Sequence, residues 1–301
     1  MAASREAVVE LNPKRSGEYS YVVKPREPWQ STFAFAIGGR PDGLLIASRV
    51  HDVRWTTAFA GKMNTIAEDS GLEMIMDVDR LGEDVLVLAG RRSKSGVYLE
   101  DGVWAFRGKI RGDKIDLQPF YVSPEGPGAA SFNNCVVLDL PRVRFLADGR
   151  FLFVPGVDPD VLLFDAAGKL LKRWSTADLG ISSGCDIPAD RKDEVARDPT
   201  ARWTWLNRRL LVDDIVELPG GLALFVREFG AGLPKWTVVR LPLDARSIER
   251  AELPLETQLK QSRIAADRNG SQMAVLEYFL DREDARPRRI HIFQIPEAWL
   301  H

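Results

Sequence analysis

The feature that most constrains the fold is a turn-plus-strand unit that recurs five times in the 301-residue chain. In each unit a turn of Gly with Asp, Glu, Pro or Asn lies between two apolar runs. Gly and Asn accept the positive φ angles of tight turns, and β-branched or aromatic residues fill the flanking pleats, so each unit predicts a β-hairpin. The five copies are RPDGLLIASRV (40–50), LGEDVLVLAGRR (81–92), LADGRFLFVPG (146–156), LPGGLALFVRE (218–228) and DRNGSQMAVLEY (267–278).

A third strand candidate follows most of these hairpins, as in VLLFDAAG (161–168) and KWTVVRLPLD (235–244). The turns recur every roughly 40 to 70 residues, which is within and above the period of propeller blades. A lone sheet of three or four strands cannot bury both faces, whereas radial stacking of such sheets does so and hides most edges. Long helices are almost absent, which excludes α/β folds. The pattern predicts an all-β chain, a β-propeller forming one domain over residues 1–301; a β-sandwich or two small β-domains is the alternative.

Six blades are expected, with five or seven as alternatives. The five units supply five blades, and two segments are candidates for the sixth. One is GKIRGDKIDLQPFYVS (108–123) together with SFNNCVVLDL (131–140), and the other is an N-terminal strand, YSYVVKP (19–25), that would close the last blade.

One blade carries a family resemblance. The segment FLADGRFLFVPGVDPDVLLFDAAGKLLKRWS (145–175) resembles a blade of bacterial six-bladed propellers of the NHL-like kind, in which a DG turn and a later FD..G turn flank the second and third strands. The other four units share the first turn but lack the FD..G tail. The resemblance implies a fold rather than an activity, because propellers of this kind serve as hydrolases, lactonases, binding modules and scaffolds.

Composition excludes some partners and leaves the compartment open. The formal net charge of -2 argues against nucleic-acid binding, which needs a basic surface, and no apolar run is long enough to span a membrane. The N-terminus lacks the apolar region of a signal peptide, so we expect either a cytoplasmic protein or, if Met1 precedes a mature sequence, an extracytoplasmic one. Cys135 and Cys185 form either one disulfide or two buried thiols.

A charged segment, CDIPADRKDEVARDPTARWTWLNRRLL (185–211), interrupts the strand pattern. Its composition predicts an insertion between blades that contains a short helix. Insertions on repeat scaffolds often mark a binding face or an oligomer contact. Trp203 and Trp205 within it are candidate interface anchors, with core packing as the equal alternative.

Three arginines fall near equivalent points after second strands: Arg49, Arg91 and Arg227. In a propeller these loops open on one face. Arginines converging there would bind an anionic ligand through paired contacts with carboxylate or phosphate. The alternative is that they are solvated turn charges.

The resemblance also implies a cofactor for the enzymatic alternative. Calcium-dependent six-bladed lactonases and phosphotriesterases hold Ca²⁺ with Glu, Asn and Asp oxygens on the channel floor. The residues of this chain that could take that role are Asn133, Asn134, Asp186 and Glu277.

His51, beside Asp52, is the only histidine placed for acid–base catalysis, whereas His291 alternates within RIHIFQI and is expected to be a sheet residue. No GxSxG, P-loop or GxGxxG motif occurs. We therefore expect a module that binds a small anionic ligand or a protein, without catalysis and without a cofactor. The alternative is a Ca²⁺-assisted hydrolase or lactonase that acts at the mouth of the propeller channel.

Overall fold

The computed structural model places its described residues almost entirely in β-strands, together with one short α-helix, α1 (Thr176–Leu179), and two 3₁₀ turns, Ala189–Arg191 and Glu297–Trp299. The residues that the structure describes are 2–3, 8–11, 19–23, 35–40, 43–48, 55–59, 62–68, 72, 74–90, 103–122, 142–154, 160–180, 189–191, 194, 198, 201, 210–228, 233–244, 247–255, 262–279 and 289–300. The all-β prediction is confirmed.

The chain divides into two compact units, residues 1–155 with 161–173, and residues 156–160 with 174–301. The prediction of one domain stays a prediction. Strands of the first unit form a three-stranded sheet, then two four-stranded meanders joined by a short parallel pairing of β7 with β11, then a further four-stranded sheet. These strands are β1 (Ala2–Ala3), β2 (Val8–Leu11), β3 (Tyr19–Val23), β4 (Phe35–Arg40), β5 (Gly43–Ser48), β6 (Trp55–Phe59), β7 (Lys62–Glu68), β8 (Met74–Leu81), β9 (Asp84–Gly90), β10 (Val103–Arg111), β11 (Lys114–Val122), β12 (Arg142–Phe145), β13 (Phe151–Val154), β14 (Val161–Phe164) and β15 (Leu170–Trp174).

The second unit contains one four-stranded and one three-stranded antiparallel sheet, each in chain order. The four-stranded sheet is β16 (Leu210–Leu218), β17 (Gly221–Glu228), β18 (Lys235–Pro242) and β19 (Glu249–Leu253). The three-stranded sheet is β20 (Ser262–Asn269), β21 (Gln272–Phe279) and β22 (Arg289–Gln294).

All five predicted hairpins are present, as β4–β5, β8–β9, β12–β13, β16–β17 and β20–β21. Four of the sheets are four-stranded meanders of the kind that form propeller blades, and the propeller-type prediction is confirmed at that level. The proposed sources of a sixth blade are wrong for the residues that the structure describes; the partner segment at 131–140 lies outside them. Residues 108–122 contribute to β10 and β11, which complete the sheet begun by β8, because the Gly112 turn returns the chain along its own hairpin. Strand β3 pairs with β2 and not with the last sheet.

Strand β9 shows why the apolar runs are continuous rather than alternating. Val85 and Val87 pack in the core shared with β5, whereas Leu86 and Leu88 pack in the core shared with β12 and β13. Successive side chains of a strand point to opposite faces, so a strand covered on both sides is apolar at every position. The innermost strands β4, β8 and β12 accordingly pack side by side within the first unit.

Phenylalanines fill the core between the β8–β11 and β12–β15 sheets. The ring of Phe151 stacks on that of Phe164 with centroids 5.2 Å apart, and Phe120 meets Phe151 edge-on at 5.0 Å. Both stacked rings come from the segment that resembles an NHL-like blade. That part of the resemblance therefore reflects packing between neighbouring sheets.

The DG and FD..G turns of the same segment are held by their own aspartates. Gly149 and Gly168 have φ angles of 86° and 89°, which favour glycine. The carboxylate of Asp148 is bonded by the side chain and backbone of Arg150, which lowers the pKa of Asp148. Asp165 accepts the backbone N–H of Lys169 at 2.9 Å, and this bond lowers its pKa. The motif thus encodes turns and carries no chemistry of its own.

Gly38 in β4 sits where two innermost strands approach each other closely. A Cβ atom at this position would lie 2.6 Å from the Cα of Asp79 and closer still to the carbonyl oxygen of Val78. We expect Gly38→Ala to lower the free energy of unfolding by about 1–3 kcal/mol, because β4 and β8 must separate. Chemical denaturation monitored by circular dichroism measures this cost.

The matched control is Gly112→Ala, at a turn where a Cβ atom meets nothing within 4 Å and only the φ angle of 64° opposes the change. This variant should lose only about 1 kcal/mol. Equal losses in the two variants would show that the contact of β4 with β8 is not tight.

Candidate functional site

Two aspartates on β8 accept hydrogen bonds from the inner strands on either side of it. Oδ2 of Asp77 accepts the backbone N–H of Val143 at 3.1 Å, and Oδ2 of Asp79 accepts that of Phe145 at 2.7 Å. Oδ1 of Asp79 accepts the N–H of Gly39 at 2.8 Å. Both aspartates are buried. Asp77 and Asp79 therefore accept hydrogen bonds from backbone N–H groups at the inner edges of β4 and β12. No described strand pairs with β4 or β12 along these edges.

Burial raises the pKa of Asp79 above its usual value of 3.8. The positive charge of Arg144 and the hydrogen bonds from Phe145 and Arg80 oppose this rise without cancelling it. Arg144 also donates from Nη1 to Oδ2 of Asp77 at 2.9 Å. The desolvation cost of Asp79 therefore outweighs its stabilising contacts.

A second aspartate pair occurs at the corresponding place in the second unit, on β16. Oδ2 of Asp214 accepts the N–H of Ala266 at 2.8 Å, and Oδ2 of Asp213 accepts that of Ile264 at 3.4 Å. The pairing of β16 with β17 shifts register between Val212 and Asp214. The bulge lets two consecutive side chains reach the same neighbouring strand, whereas β8 uses alternate residues.

Asp213 is the centre of a buried ionic cluster. Its Oδ1 lies 3.3 Å from Nη2 of Arg227 and 3.3 Å from Nε of Arg263, and its Oδ2 accepts the indole N–H of Trp236 at 2.8 Å. Only 1% of the Arg227 surface is exposed. We call these four residues the Asp213 cluster. One carboxylate therefore joins β16 to β17, β18 and β20.

Glu277, on β21, is the second buried acid of this unit. Its Oε2 lies 3.6 Å from Nε2 of His291 on β22, and the residue is 1% exposed. Its Oε1 has no hydrogen-bond partner in the part of the chain that the structure describes, and the same holds for Nε2 of His291. Both atoms could bind a cation.

The structure places two of the predicted site residues. Arg227 lies at the end of β17 and Glu277 near the end of β21, so both follow the predicted second-strand position. Arg227 lies within the strand rather than in an open loop, and it contacts Asp213 instead of solvent, because the strand continues to Glu228. His291 lies in β22, and its prediction as a sheet residue is confirmed.

The remaining predicted residues lie outside the described part of the chain: Arg49, Arg91, His51, Asp52, Asn133, Asn134, Asp186, Trp203, Trp205, Cys135 and Cys185. Their roles stay predictions. Of the insertion at 185–211, the structure describes only the 3₁₀ turn at Ala189–Arg191 and a few further residues.

Sequence reasoning missed Asp77, Asp79, Asp213 and Asp214. Their signal is a carboxylate inside an apolar strand, in MIMDVDRL (74–81) and LLVDDIVEL (210–218). Charged residues are rarely fully buried unless they are paired, so such positions indicate hydrogen bonds across strands.

Among the described residues, no group of three His, Cys, Asp or Glu side chains could hold a metal ion. No described helix is both long and apolar enough to cross a bilayer.

No protein family model and no curated protein sequence matches the chain. Solved structures of β-propeller proteins are similar to it. YjhT has 9% identity and a TM-score of 0.45, over 80% of this chain and 70% of that chain. The GH43 protein BlXynB from Bacillus licheniformis has 9% identity and a TM-score of 0.43, over 86% of this chain and 51% of that chain. Virginiamycin B lyase from Staphylococcus aureus has 12% identity and a TM-score of 0.39, over 87% of this chain and 84% of that chain.

The chain thus spans 51% of the length of BlXynB. Similarities this low assign no activity.

The Asp213 cluster should contribute strongly to stability. Asp213→Ala leaves two buried arginines without their shared carboxylate, so we expect a loss of about 3–5 kcal/mol in the free energy of unfolding. The control is Glu252→Gln, an exposed carboxylate on β19, which should change it by less than about 0.5 kcal/mol. Urea denaturation of both variants measures the difference, and a loss below 1 kcal/mol, about the scale of one net hydrogen bond, would contradict a central role for Asp213.

We expect Asp79 and Asp165 to make opposite contributions to the pH dependence of the free energy of unfolding. The pKa of Asp79 is raised in the folded state, so the native protein binds this proton more tightly than the unfolded chain does. The contribution of Asp79 to the free energy of unfolding therefore falls as pH rises from about 4 towards neutrality. The pKa of Asp165 is lowered, so its stabilisation is present above the usual carboxyl pKa and is lost as pH falls below it.

The measurement is the free energy of unfolding of the wild type minus that of Asp79→Asn, and likewise for Asp165→Asn, from acidic to neutral pH. The first difference should fall with rising pH and the second should rise. Parallel slopes would show that burial does not raise the pKa of Asp79.

Proposed function

We propose that this chain is a non-catalytic, protein-binding module of the β-propeller type. The observation that carries the proposal is where its large apolar side chains reach the surface. Leu170 and Leu171 on β15 are 48% and 49% exposed, and Ile290 and Ile292 on β22 are 45% and 43% exposed. Both strands are the last of their sheets, so four of the five exposed large apolar side chains in the described part of the chain lie at outer edges; the fifth, Leu233, precedes β18. Protein partners bind such surface.

The buried acids support the same proposal. Asp77, Asp79, Asp213 and Asp214 each accept backbone hydrogen bonds from a neighbouring strand. A carboxylate occupied in this way holds the sheets together and is poorly placed to transfer a proton to a substrate. These four aspartates therefore serve the scaffold.

Two more specific proposals concern residues outside the described part of the chain. Arg49 and Arg91 would contribute to binding a small anionic ligand, and Trp203 and Trp205 would anchor a protein partner. Arg227 is not included, because its guanidinium is buried against Asp213. Six remains our proposed number of blades: the four-stranded sheets would provide four, and the two three-stranded sheets would provide the others.

A metal-assisted hydrolase or lactonase is the second candidate. The observation that favours it is Oε1 of Glu277, a buried carboxylate oxygen without a hydrogen-bond partner among the described residues. Ca²⁺ binds carboxylate and amide oxygens, so Glu277 would act with Asn133, Asn134 and Asp186.

The protein-binding proposal is tested with the double variant Leu170→Glu, Leu171→Glu. A partner is first identified by crosslinking and mass spectrometry and then purified. We expect the variant to bind it at least about tenfold more weakly, a loss of about 1.4 kcal/mol, because the charges must be desolvated at the interface. The control is Gln118→Glu, at an exposed position of β11, which should bind like the wild type. Equal affinities for all three proteins would refute a role for β15.

The metal-dependent candidate is tested by thermal denaturation with Ca²⁺, Zn²⁺ or EDTA. A bound ion raises the melting temperature by mass action. The non-catalytic proposal predicts no metal-dependent shift in the wild type. A shift with Ca²⁺ that disappears in Glu277→Gln would favour the hydrolase instead.

A further inference from the structure

Strand β22 occupies the position of a third strand but is exposed like an outermost strand. Its equivalents in the four-stranded sheets are β6, β10, β14 and β18. The described part of β10 has buried, half-buried and exposed residues. All four residues of β14 are buried, and most of β18 is buried, because β15 and β19 lie beside them. In β22 no residue is fully buried: four of its residues are exposed, and His291 and Phe293 are half-buried. The last sheet is one strand short within the described chain.

The chain that follows β22 does not cover its free edge. It continues into the 3₁₀ turn Glu297–Trp299, where the indole N–H of Trp299 donates to Oε2 of Glu249 on β19 at 2.8 Å. Trp299 and Ile295 are buried in the core between the two sheets of the second unit. This segment therefore packs against the core face and leaves the edge of β22 open.

The free edge has few of the features that normally prevent strand pairing. Ile290 and Ile292 lie two residues apart, so they share one face, and His291 and Phe293 share the other with their rings stacked at 6.2 Å. Arg289, at the start of the strand, is its only residue with a permanent charge. Edge strands are usually protected by lysines, prolines or bulges, and β22 has none of them.

We propose that β22 pairs in antiparallel fashion with β22 of a second copy of this chain. The inference rests on the proposed protein-binding function and names one partner. The two-fold axis passes through His291. Ile290 of each copy then lies opposite Ile292 of the other, and Arg289 of each copy lies opposite Phe293 of the other. Two three-stranded sheets then become one six-stranded sheet.

Self-complementarity is what favours a second copy over an unrelated strand. A two-fold axis perpendicular to the sheet keeps each face on its own side, so only residues of the same face can be paired. In this register four isoleucines meet, and no two arginines lie opposite each other. Two copies of β22 therefore supply every side-chain pair of this isologous interface.

Sedimentation of the full chain tests dimer formation. The wild type should form a concentration-dependent dimer, and Ile290→Lys with Ile292→Lys should raise the dimer dissociation constant at least about tenfold. The control is Ala167→Lys, which adds charge at an exposed turn between β14 and β15, outside β22, and should leave dimerisation intact. All variants should keep the wild-type circular dichroism spectrum, which shows that the sheets are folded; the melting temperature of the double variant should no longer depend on protein concentration.

Cysteine crosslinking tests the register. In a Cys135→Ser, Cys185→Ser background, Ile290→Cys protein mixed with Ile292→Cys protein should form a disulfide-linked dimer on oxidation. Neither protein alone should do so, because each would place Cys opposite Ile. Crosslinks within one population, or no crosslink in the mixture, would overturn this pairing.

A chain that stays monomeric at high micromolar concentration overturns the proposal. If such a monomer binds another protein through β22, self-pairing fails and the protein-binding function stands. If it shows metal-dependent turnover and binds no protein, both proposals fail.

Discussion

Hydrogen bonds from backbone N–H groups to buried aspartates are the interaction on which the inner part of each unit depends. The first strands β4, β12 and β20 each have one edge without a strand partner among the described residues, and N–H groups on that edge need acceptors. Asp77 and Asp79 supply them in the first unit, and Asp213 and Asp214 in the second. A carboxylate suits this task because it accepts several bonds at once, as Asp79 does from three residues.

The outer edges of the sheets carry different side chains from the inner edges. Inner edges are closed by acids and by packing on both faces, whereas β15 and β22 present aliphatic side chains to solvent. The inner edges of the sheets are therefore hydrogen-bonded to buried acids, whereas the outer strands β15 and β22 expose aliphatic side chains. Binding through outer strands would leave the buried network undisturbed, which explains how such a scaffold could gain partners without loss of stability.

Local rules predicted the hairpins but not how the sheets are completed. Gly82, Gly149, Gly220 and Gly270 adopt positive φ angles in four of the five predicted turns, because turn geometry depends on nearest neighbours alone. The second sheet was misjudged because its β9–β10 connection is long, so residues 108–122 resembled a separate unit. Arg227 was predicted in a loop, whereas β17 continues to Glu228, and its contact with Asp213 is set by strand register across a bulge.

The sequence by itself determined that the chain is all-β, where its five hairpins turn, and that Arg227 and Glu277 end second strands. These properties follow from side-chain periodicity and glycine conformations, which act over a few residues. Only the tertiary structure decided that Arg227 is buried, and that no described strand pairs with the outer edge of β22. Both depend on contacts between segments distant in sequence, since burial and hydrogen-bond partners are set by which sheet packs on which.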